Sequence, residues 1–492
     1  MQNVVQRGTN RTDVAIIGSG FSGLGLAIRL KQEARDDFIV FEKAQSVGGT
    51  WRENHYPGIA CDVQSHLYSF SFAPNPEWSR MYSPGPEIRR YLERCAADFG
   101  VLPHVRFGAQ VVRADWLATD RCWQLQLANG ELHYARVLVA GMGGLSRPAI
   151  PQIPGLAQFQ GVAFHSAEWN HDYDLRGKRV AVIGTGASAI QFVPQLAPQA
   201  AQLHLFQRTP PWVMAKPDRP VTSTEHWLFR RFPATQKLAR AAIYCTLESR
   251  APGFTLLPGA MKIAQNLAIA HIRRQIADPS LRAKVTPTYT MGCKRILLSN
   301  DYYPALARSN VNVVTEAIRE VRANAVVTVD GAVHEVDAII LGTGFQATDP
   351  MPPGVIFGRN ALDIVAAWQT GAEAYLGTTV AGFPNLFMMM GPNTGLGHSS
   401  MVYMIESQIQ YTLDALRVMQ QQKIQAVDVL AGVQASFNHW LQARLRRTVW
   451  NSGGCQSWYR NAAGKNVVLW PGFTWQFRQR TRHFDVQNYQ KL

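Results

Sequence analysis

Val14-Ala15-Ile16-Ile17-Gly18-Ser19-Gly20-Phe21-Ser22-Gly23 is the stretch that decides the fold. Its first four residues form an apolar, β-branched run suited to a buried parallel strand. They lead into a G-x-G-x-x-G loop. Gly18 permits a tight turn, Gly20 lets a pyrophosphate approach the backbone, and Gly23 lets the next helix pack close to the strand. That helix, running through Ile28 and Leu30, offers free N–H groups and a positive dipole end to phosphates. A second strand, Phe38-Ile39-Val40-Phe41, ends in Glu42, 24 residues past Gly18. There the carboxylate can accept both ribose hydroxyls of an adenosine. Strand, loop, helix, strand and acid in this register read as a dinucleotide site.

The same logic recurs downstream. Arg179-Val180-Ala181-Val182-Ile183 runs into Gly184-Thr185-Gly186-Ala187-Ser188-Ala189, a G-x-G-x-x-A loop, and the next strand, Leu203 to Phe206, is followed by Gln207-Arg208-Thr209. Arg208 lies 24 residues past Gly184, the offset that separates Glu42 from Gly18. An acid at this offset selects ribose hydroxyls, whereas an arginine accommodates a 2′-phosphate through charge-assisted hydrogen bonds. The first site therefore reads as FAD and the second as NADPH. Both lie near a repeated pattern. Val111-Val112, Trp123 to Leu127, the Asn129-Gly130 turn and Leu132 onward form a meander ending in Val137-Leu138-Val139-Ala140-Gly141. Val326 to Val329, the turn Asp330-Gly331 and Asp337 to Gly344 repeat it.

Two dinucleotide sites imply hydride transfer from a nicotinamide to a flavin. The six cysteines, Cys61, Cys95, Cys122, Cys245, Cys293 and Cys455, contain no C-x-x-C pair. Six reduced thiols are expected, with no disulfide, metal site or thiol redox centre. A disulfide reductase is thereby disfavoured, and oxygen remains as the electron acceptor.

At 492 residues the chain has room for two or three domains. Its net charge of +15 comes from scattered basic residues, apart from short groups such as Arg230-Arg231 and Arg478, Arg480 and Arg482. No nucleic-acid motif accompanies them. There is no run of 18 apolar residues to span a membrane. Met1 to Thr12 is polar and lacks the core of a signal peptide, so a cytoplasmic protein is expected. Glu87 to Phe99 reads as a core helix, Ser407 to Met419 and Val433 to Leu445 as late helices. Residues 225 to 285 read as a helical insertion, with Leu238, Ala241, Ala242 and Cys245 on one face. It packs on the NADPH domain, covers the substrate as a lid, or meets a membrane surface through a basic patch.

Just ahead of the second loop, Phe159 to Trp169 follows the pattern F-x-G-x-x-x-H-x-x-x-W. It resembles the fingerprint of type I Baeyer–Villiger monooxygenases, flavin enzymes related to the flavin-containing monooxygenases. Asn170 stands where the family pattern usually has Pro or Asp. The resemblance covers nearly the whole chain. It includes Gly48-Gly49-Thr50-Trp51 through Tyr56-Pro57-Gly58 to Asp62, and Gly292-Cys293-Lys294-Arg295 with Asp301-Tyr302-Tyr303. Gly391-Pro392-Asn393-Thr394-Gly395 to Met401, and Ser457-Trp458-Tyr459 through Phe473, complete it.

The resemblance implies roles. A reduced flavin forms a C4a-peroxide with oxygen, and Arg295 stabilises its anion and then the anionic tetrahedral adduct with a ketone. Asp62 holds Arg295 and balances its charge. Ser22, Glu42, Trp51, Tyr68 and Met401 contact FAD, and Thr50, Val111 and Asp62 join the cofactor-binding set. Lys294, Arg208 and Thr209 grip the 2′-phosphate, and His165 supports NADP placement from the linker between domains. The product is an ester or lactone, with aliphatic ketones as the suggested substrates. The nearest rival is a flavin monooxygenase that oxidises nitrogen or sulfur; a redox sensor or scaffold without turnover is a second. The expected architecture is α/β with two Rossmann-like dinucleotide-binding domains. Its FAD domain is discontinuous, over 1–150 and 336–492, and its NADPH domain covers 151–335 with the insertion at about 225–285.

Overall fold

A computed structural model of the chain describes residues 10–348 and 351–492. The expectation for the chain start, Met1 to Thr12, thus falls outside the described residues up to Thr9. The first strand, β1 (Arg11–Ile17), is followed by α1 (Phe21–Gln32), β2 (Phe38–Phe41), a helix over Gly85–Asp98, β3 (Val105–Arg106) and the meander β4 (Val111–Leu117), β5 (Cys122–Leu127) and β6 (Leu132–Ala140). β1 lies between β2 and β6 and runs parallel to both, with Ile17 opposite Phe41 and Ala140. Burial explains the composition of its inner half: Val14, Ala15, Ile16 and Ile17 are all buried, and a strand covered on both faces reads as a continuous apolar run.

The chain then crosses into a second sheet. Its strands are β7 (Val162–His165), β8 (Arg179–Ile183) and β9 (Gln202–Phe206), with the helix Ala189–Leu196 between the last two. A short pair, β10 (Val213–Met214) with β11 (Leu297–Leu298), brackets the helical insertion. β12 (Val311–Val314) adds to the edge of β9. β13 (Ile318–Arg322), β14 (Ala325–Thr328) and β15 (Val333–Glu335) form a separate antiparallel sheet. β16 (Ala338–Leu341) closes the second parallel sheet in the order β12-β9-β8-β16-β7. The meanders are therefore used differently: β4–β6 are part of the first sheet, whereas β13–β15 stand apart and β16 alone enters the second.

β16 also corrects the expected boundary at 336. Ala338 pairs with both Val162 and Val180, so the chain leaves the second sheet only after Leu341. It returns as β17 (Ile356–Phe357) beside β4 and β18 (Leu386–Met388) beside β6. The helix Met401–Gln421 then packs along α1. The outgoing and returning crossings are tied together: Ala149 N donates to Gly344 O at 2.8 Å and Thr343 Oγ1 to Ala149 O at 2.6 Å.

The insertion comprises helices over Ser223–Arg231, Pro233–Glu248, Ala251–Thr255, Met261–Gln275 and Pro279–Val285. Its first part packs on the first sheet's side rather than on the second domain. Arg240 Nη1 donates to the carbonyls of His66 (2.7 Å) and Ser69 (2.9 Å), and Gln236 Nε2 to that of Asn75 (2.7 Å). The Glu248 carboxylate accepts from Thr474 N (2.9 Å) and meets His398 Nε2 at 2.8 Å. Later residues, Ile272, Ile276 and Val285, do join the second core. The face holding Leu238, Ala241, Ala242 and Cys245 points outward.

Candidate active site at the junction of two sheets

Each nucleotide loop begins at the carboxyl end of the central strand of its sheet. Gly18 N donates to Phe41 O (2.8 Å) and Gly184 N to Phe206 O (3.1 Å). Both glycines have positive φ, +94° and +108°, which favours glycine. The helix that follows the first loop has Gly20 at its N-cap with no side-chain cap. Its leading N–H groups are left for an anion. Ser22, in its first turn, is buried.

Glu42 sits beside this loop. One carboxylate oxygen accepts from Ser19 N (3.0 Å) and Ser19 Oγ (2.6 Å), the other from Ala44 N (3.0 Å) and Arg52 Nη2 (3.1 Å). Burial pushes this carboxyl up, but the donors around it outweigh burial and hold it below the usual carboxylate range. Sequence reasoning missed Ser19 and Arg52; both sit next to motif residues, yet nothing in their spacing marks them. Val111 starts β4 close by, since Ala109 N donates to Glu42 O at 2.9 Å. Thr50 opens the short helix Thr50–Glu53. Trp51 Nε1 donates to Tyr68 Oη at 3.3 Å, and the Tyr68 ring stands edge-on to Phe21 of the loop at 5.2 Å. Met401 is the first residue of its helix, capped by Ser400.

The second loop is less enclosed. Thr185 Oγ1 donates to Thr209 O at 3.2 Å, which ties the loop to the strand end. Gly186, Ala187 and Ser188 complete the turn, and a methyl group at Gly186 would lie 4.0 Å from its nearest neighbour. Arg208 is exposed. Lys294 is half-buried over the Tyr289 ring, and burial, then the Arg208 charge, lower its ammonium pKa. The two cations thus converge across 86 positions of sequence. His165 ends β7 beside the crossings: its Nδ1 accepts from Ala167 N at 3.1 Å, and its ring stands edge-on to Phe345 at 5.7 Å. Its Nε2 is buried without a partner among the described residues. Trp169, by contrast, is core, packed on Phe164 and Phe192.

Asp62 and Arg295 meet where a loop of the first unit is bonded to the helix Ala189–Leu196 of the second. Arg295 Nε donates to Asp62 Oδ2 at 2.6 Å and Nη1 to Leu396 O at 3.3 Å. Nη2 makes no hydrogen bond with any described residue and is free to donate. Both side chains are 28% exposed, so the pair reaches accessible space. Asp62 raises the guanidinium pKa further above its usual value, which keeps it charged. Burial pushes the Asp62 carboxyl up, but Arg295 outweighs it and the net direction is down. Gln191 of the second sheet's helix steadies the Asp62 loop: its Nε2 donates to Ala60 O (2.9 Å) and its Oε1 accepts from Tyr56 Oη (3.0 Å). Lys216 is a second cation near Asp62; burial lowers its pKa, while Asp218, Cys61 and Asp62 act the other way. Neither Gln191 nor Lys216 carries a sequence signal.

One expectation fails next to Arg295. Cys293 and Cys455 are joined as a disulfide, with Cα atoms 6.1 Å apart, so not all six thiols are reduced. Spacing rules detect local pairs, and these residues are 162 apart. The fold brings them together through the turn that also sets Thr290 N on Gly453 O at 3.0 Å. Cys61, Cys95, Cys122 and Cys245 are free.

Comparison with known proteins agrees with this arrangement. Residues 11–247 match the family described as flavin-binding monooxygenase-like. A Baeyer-Villiger monooxygenase of Pseudomonas aeruginosa is 58% identical over 477 residues, covering 97% of this chain and 90% of the relative. Cyclohexanone monooxygenase from Rhodococcus sp. Phi1 bound to NADP+ superimposes with a TM-score of 0.86 at 30% identity, over 96% of this chain and 97% of the other. The OTEMO complex with FAD and NADP gives 0.88 at 26% identity, over 99% and 100%. With coverage of nearly the full chain and a shared two-sheet fold, the chain belongs to the Baeyer–Villiger monooxygenases.

Proposed function

We propose that this chain uses FAD, NADPH and O2 to insert one oxygen atom next to a ketone carbonyl, giving an ester or lactone. The observation that carries the reading is Arg295, held charged by Asp62 and Leu396 at the junction of two dinucleotide units, with one N–H group still free. FAD supplies hydride acceptance and oxygen activation when bound.

The residues fit both cofactors. The uncapped start of α1 suits a pyrophosphate, and Ser22, Thr50, Trp51, Tyr68, Val111 and Met401 would complete the FAD contacts. Glu42 is the ribose acceptor. The FAD unit comprises residues up to about 150 and those after Leu341; the NADPH unit is the stretch between. In the latter, Gly184 to Ser188 take the pyrophosphate, while Arg208, Thr209 and Lys294 take the 2′-phosphate. His165, wedged beside the two crossings, sets how the NADPH unit sits. NADPH supports a cytoplasmic setting. Among the described residues no helix is long and apolar enough to cross a membrane.

The unbonded Nη2 of Arg295 would donate to the oxygen on which negative charge gathers as the ketone carbonyl is attacked. An enzyme that oxidises soft nitrogen or sulfur needs a protonated, electrophilic oxidant and gains less from a fixed guanidinium. Product analysis by mass spectrometry tests the reading. The FAD-loaded protein, NADPH and labelled oxygen are offered a medium-chain ketone and a thioether together. A labelled ester is expected. Sulfoxide alone moves the assignment to heteroatom oxygenation, and hydrogen peroxide alone counts against oxygen insertion.

A further inference from the structure

The outward face of the helical insertion is apolar and cationic at once. Between His226 and Ala277 the chain carries eight basic residues and one acid, Glu248. That acid points inward, bonded to His398 and Thr474. The exposed cations of this stretch therefore have no carboxylate of the stretch beside them, and among the described residues Arg230 alone of these is paired from outside it, with Glu77 at 2.8 Å. Arg231, Lys237, Arg250, Lys262, Arg273 and Arg274 are all exposed.

Large apolar side chains are exposed along the same stretch of chain. Leu238 is 69% exposed and Ile263 70%, and Trp227, Phe232, Leu257 and Leu267 are exposed with them. Their spacing is helical. Leu238 is followed by exposed Ala241, Ala242 and Cys245 on the helix Pro233–Glu248. Ile263 and Leu267 lie one turn apart on Met261–Gln275, with Lys262 beside them and Arg273 and Arg274 in the last turn. Trp227 and Phe232 pack edge to face at 5.8 Å where the first two helices join.

These stripes are not core faces left half-filled. Each helix already has a different, buried face: Gln236, Ile243 and Glu248 on one, Met261, Ala268 and Ile272 on the other. Ile243, Met261 and Ala268 belong to one continuous core. Both helices are seated on it and present their second apolar stripes to solvent. A helix with lysines and arginines flanking an exposed apolar stripe gains from an anionic interface twice, through burial of the stripe and through attraction to the headgroups.

We propose that this face of the insertion docks on the surface of an anionic lipid bilayer. Charge decides between occupants. A second copy would set cation against cation, on a chain that already carries +15. An anionic lipid surface supplies the missing negative charge and the apolar layer together. The contact is peripheral, with the helices lying on the bilayer.

Sedimentation of the full-length FAD-loaded protein with vesicles tests this. Vesicles of phosphatidylglycerol mixed with phosphatidylcholine are compared with vesicles of phosphatidylcholine alone. Binding to the anionic vesicles is expected to be at least about tenfold stronger and to weaken as salt is raised. Leu238→Glu, Ile263→Glu and Leu267→Glu, on two separate helices, are each expected to lower vesicle binding about tenfold, with the melting temperature and NADPH turnover kept. Equal binding to both vesicles, or no binding, overturns the proposal. So do glutamate variants that fold and still bind as the parent does. A protein that ignores vesicles but changes oligomeric state on glutamate substitution, read by light scattering, assigns the face to a second copy and overturns it too.

Discussion

The two nucleotide loops share a scaffold and differ in enclosure. In both, the first glycine donates to the end of the neighbouring strand and presses against a glycine carbonyl after a second neighbour: Gly141 O for Gly18, Gly342 O for Gly184. At the third position they part. A methyl group on Gly23 would lie 1.9 Å from Gly18 O, whereas the second loop already carries Ala189, fully buried. The first helix therefore packs closer to its strand. The charged ends differ in the same sense. Glu42 is 3% exposed and held by Ser19, Ala44 and Arg52, while Arg208 is exposed and shares its space with Lys294. A rigid, enclosed site suits a cofactor that stays; an open one suits a reductant that must arrive and leave in each turnover.

The sharpest way to break this contrast is Gly23→Ala. The added carbon has no room beside backbone, so a cost of about 3 kcal/mol or more is expected, with flavin lost on purification. A protein that melts as the parent and keeps its yellow colour would contradict the close packing. Next in size is Arg295→Ala, which removes the donor at the junction and leaves both loops intact. Ester formation should fall by roughly 10²- to 10³-fold, while flavin reduction by NADPH, followed by stopped-flow absorbance, stays near the parent rate. Equal loss of both rates would place Arg295 in NADPH binding instead.

Acid should act on both units: burial lowers the His204 pKa in β9 of the second sheet to about 4, and two histidines on the first-sheet side show the same shift. His66 and His133 are buried there, and burial lowers both pKa values to about 4 from an ordinary 6.5. Such groups stay neutral in the folded state and take up protons only on unfolding. Stability is unaffected above pH 6.5 and should fall as the pH drops from there towards 4, by roughly 1.4 kcal/mol per unit for each histidine at most. Denaturant titrations at stepwise pH read this directly, and His133→Gln should flatten the slope.

How much of this was legible in the sequence follows from the range over which each signal acts. The loops, Glu42 and Arg208 were legible because a strand–turn–helix unit places its chemistry within 24 residues. The fold class followed from finding two such units. The Asp62–Arg295 pair spans 233 positions and was reached only by resemblance. The Cys293–Cys455 bond was missed outright, since distant cysteines leave no spacing to read. The boundary at 336 failed because β16 looks like the end of a meander, and only pairing reveals which sheet it joins. The apolar face on Leu238 was found, but periodicity gives the width of a stripe, not whether core or solvent lies against it.

Two smaller changes sharpen the open site. Arg208→Ala removes one cation from the proposed 2′-phosphate position while Lys294 remains. KM for NADPH should rise by roughly 10- to 100-fold, with kcat and the KM for NADH little changed. An unaltered preference for NADPH over NADH would remove Arg208 from the phosphate site. Gly186→Ala completes the comparison with Gly23. Here the new methyl group meets nothing closer than 4.0 Å, so the change in stability should stay within about 0.5 kcal/mol. The space it fills is the space a pyrophosphate needs, because the backbone must approach the phosphates closely at this position. The expected result is an unchanged melting temperature and flavin content with weaker NADPH binding, measured by titrating flavin reduction rate against NADPH. The same one-carbon change would then damage the fold at one loop and only the ligand at the other, which is what separates a loop closed on its own backbone from one left open for a passing substrate.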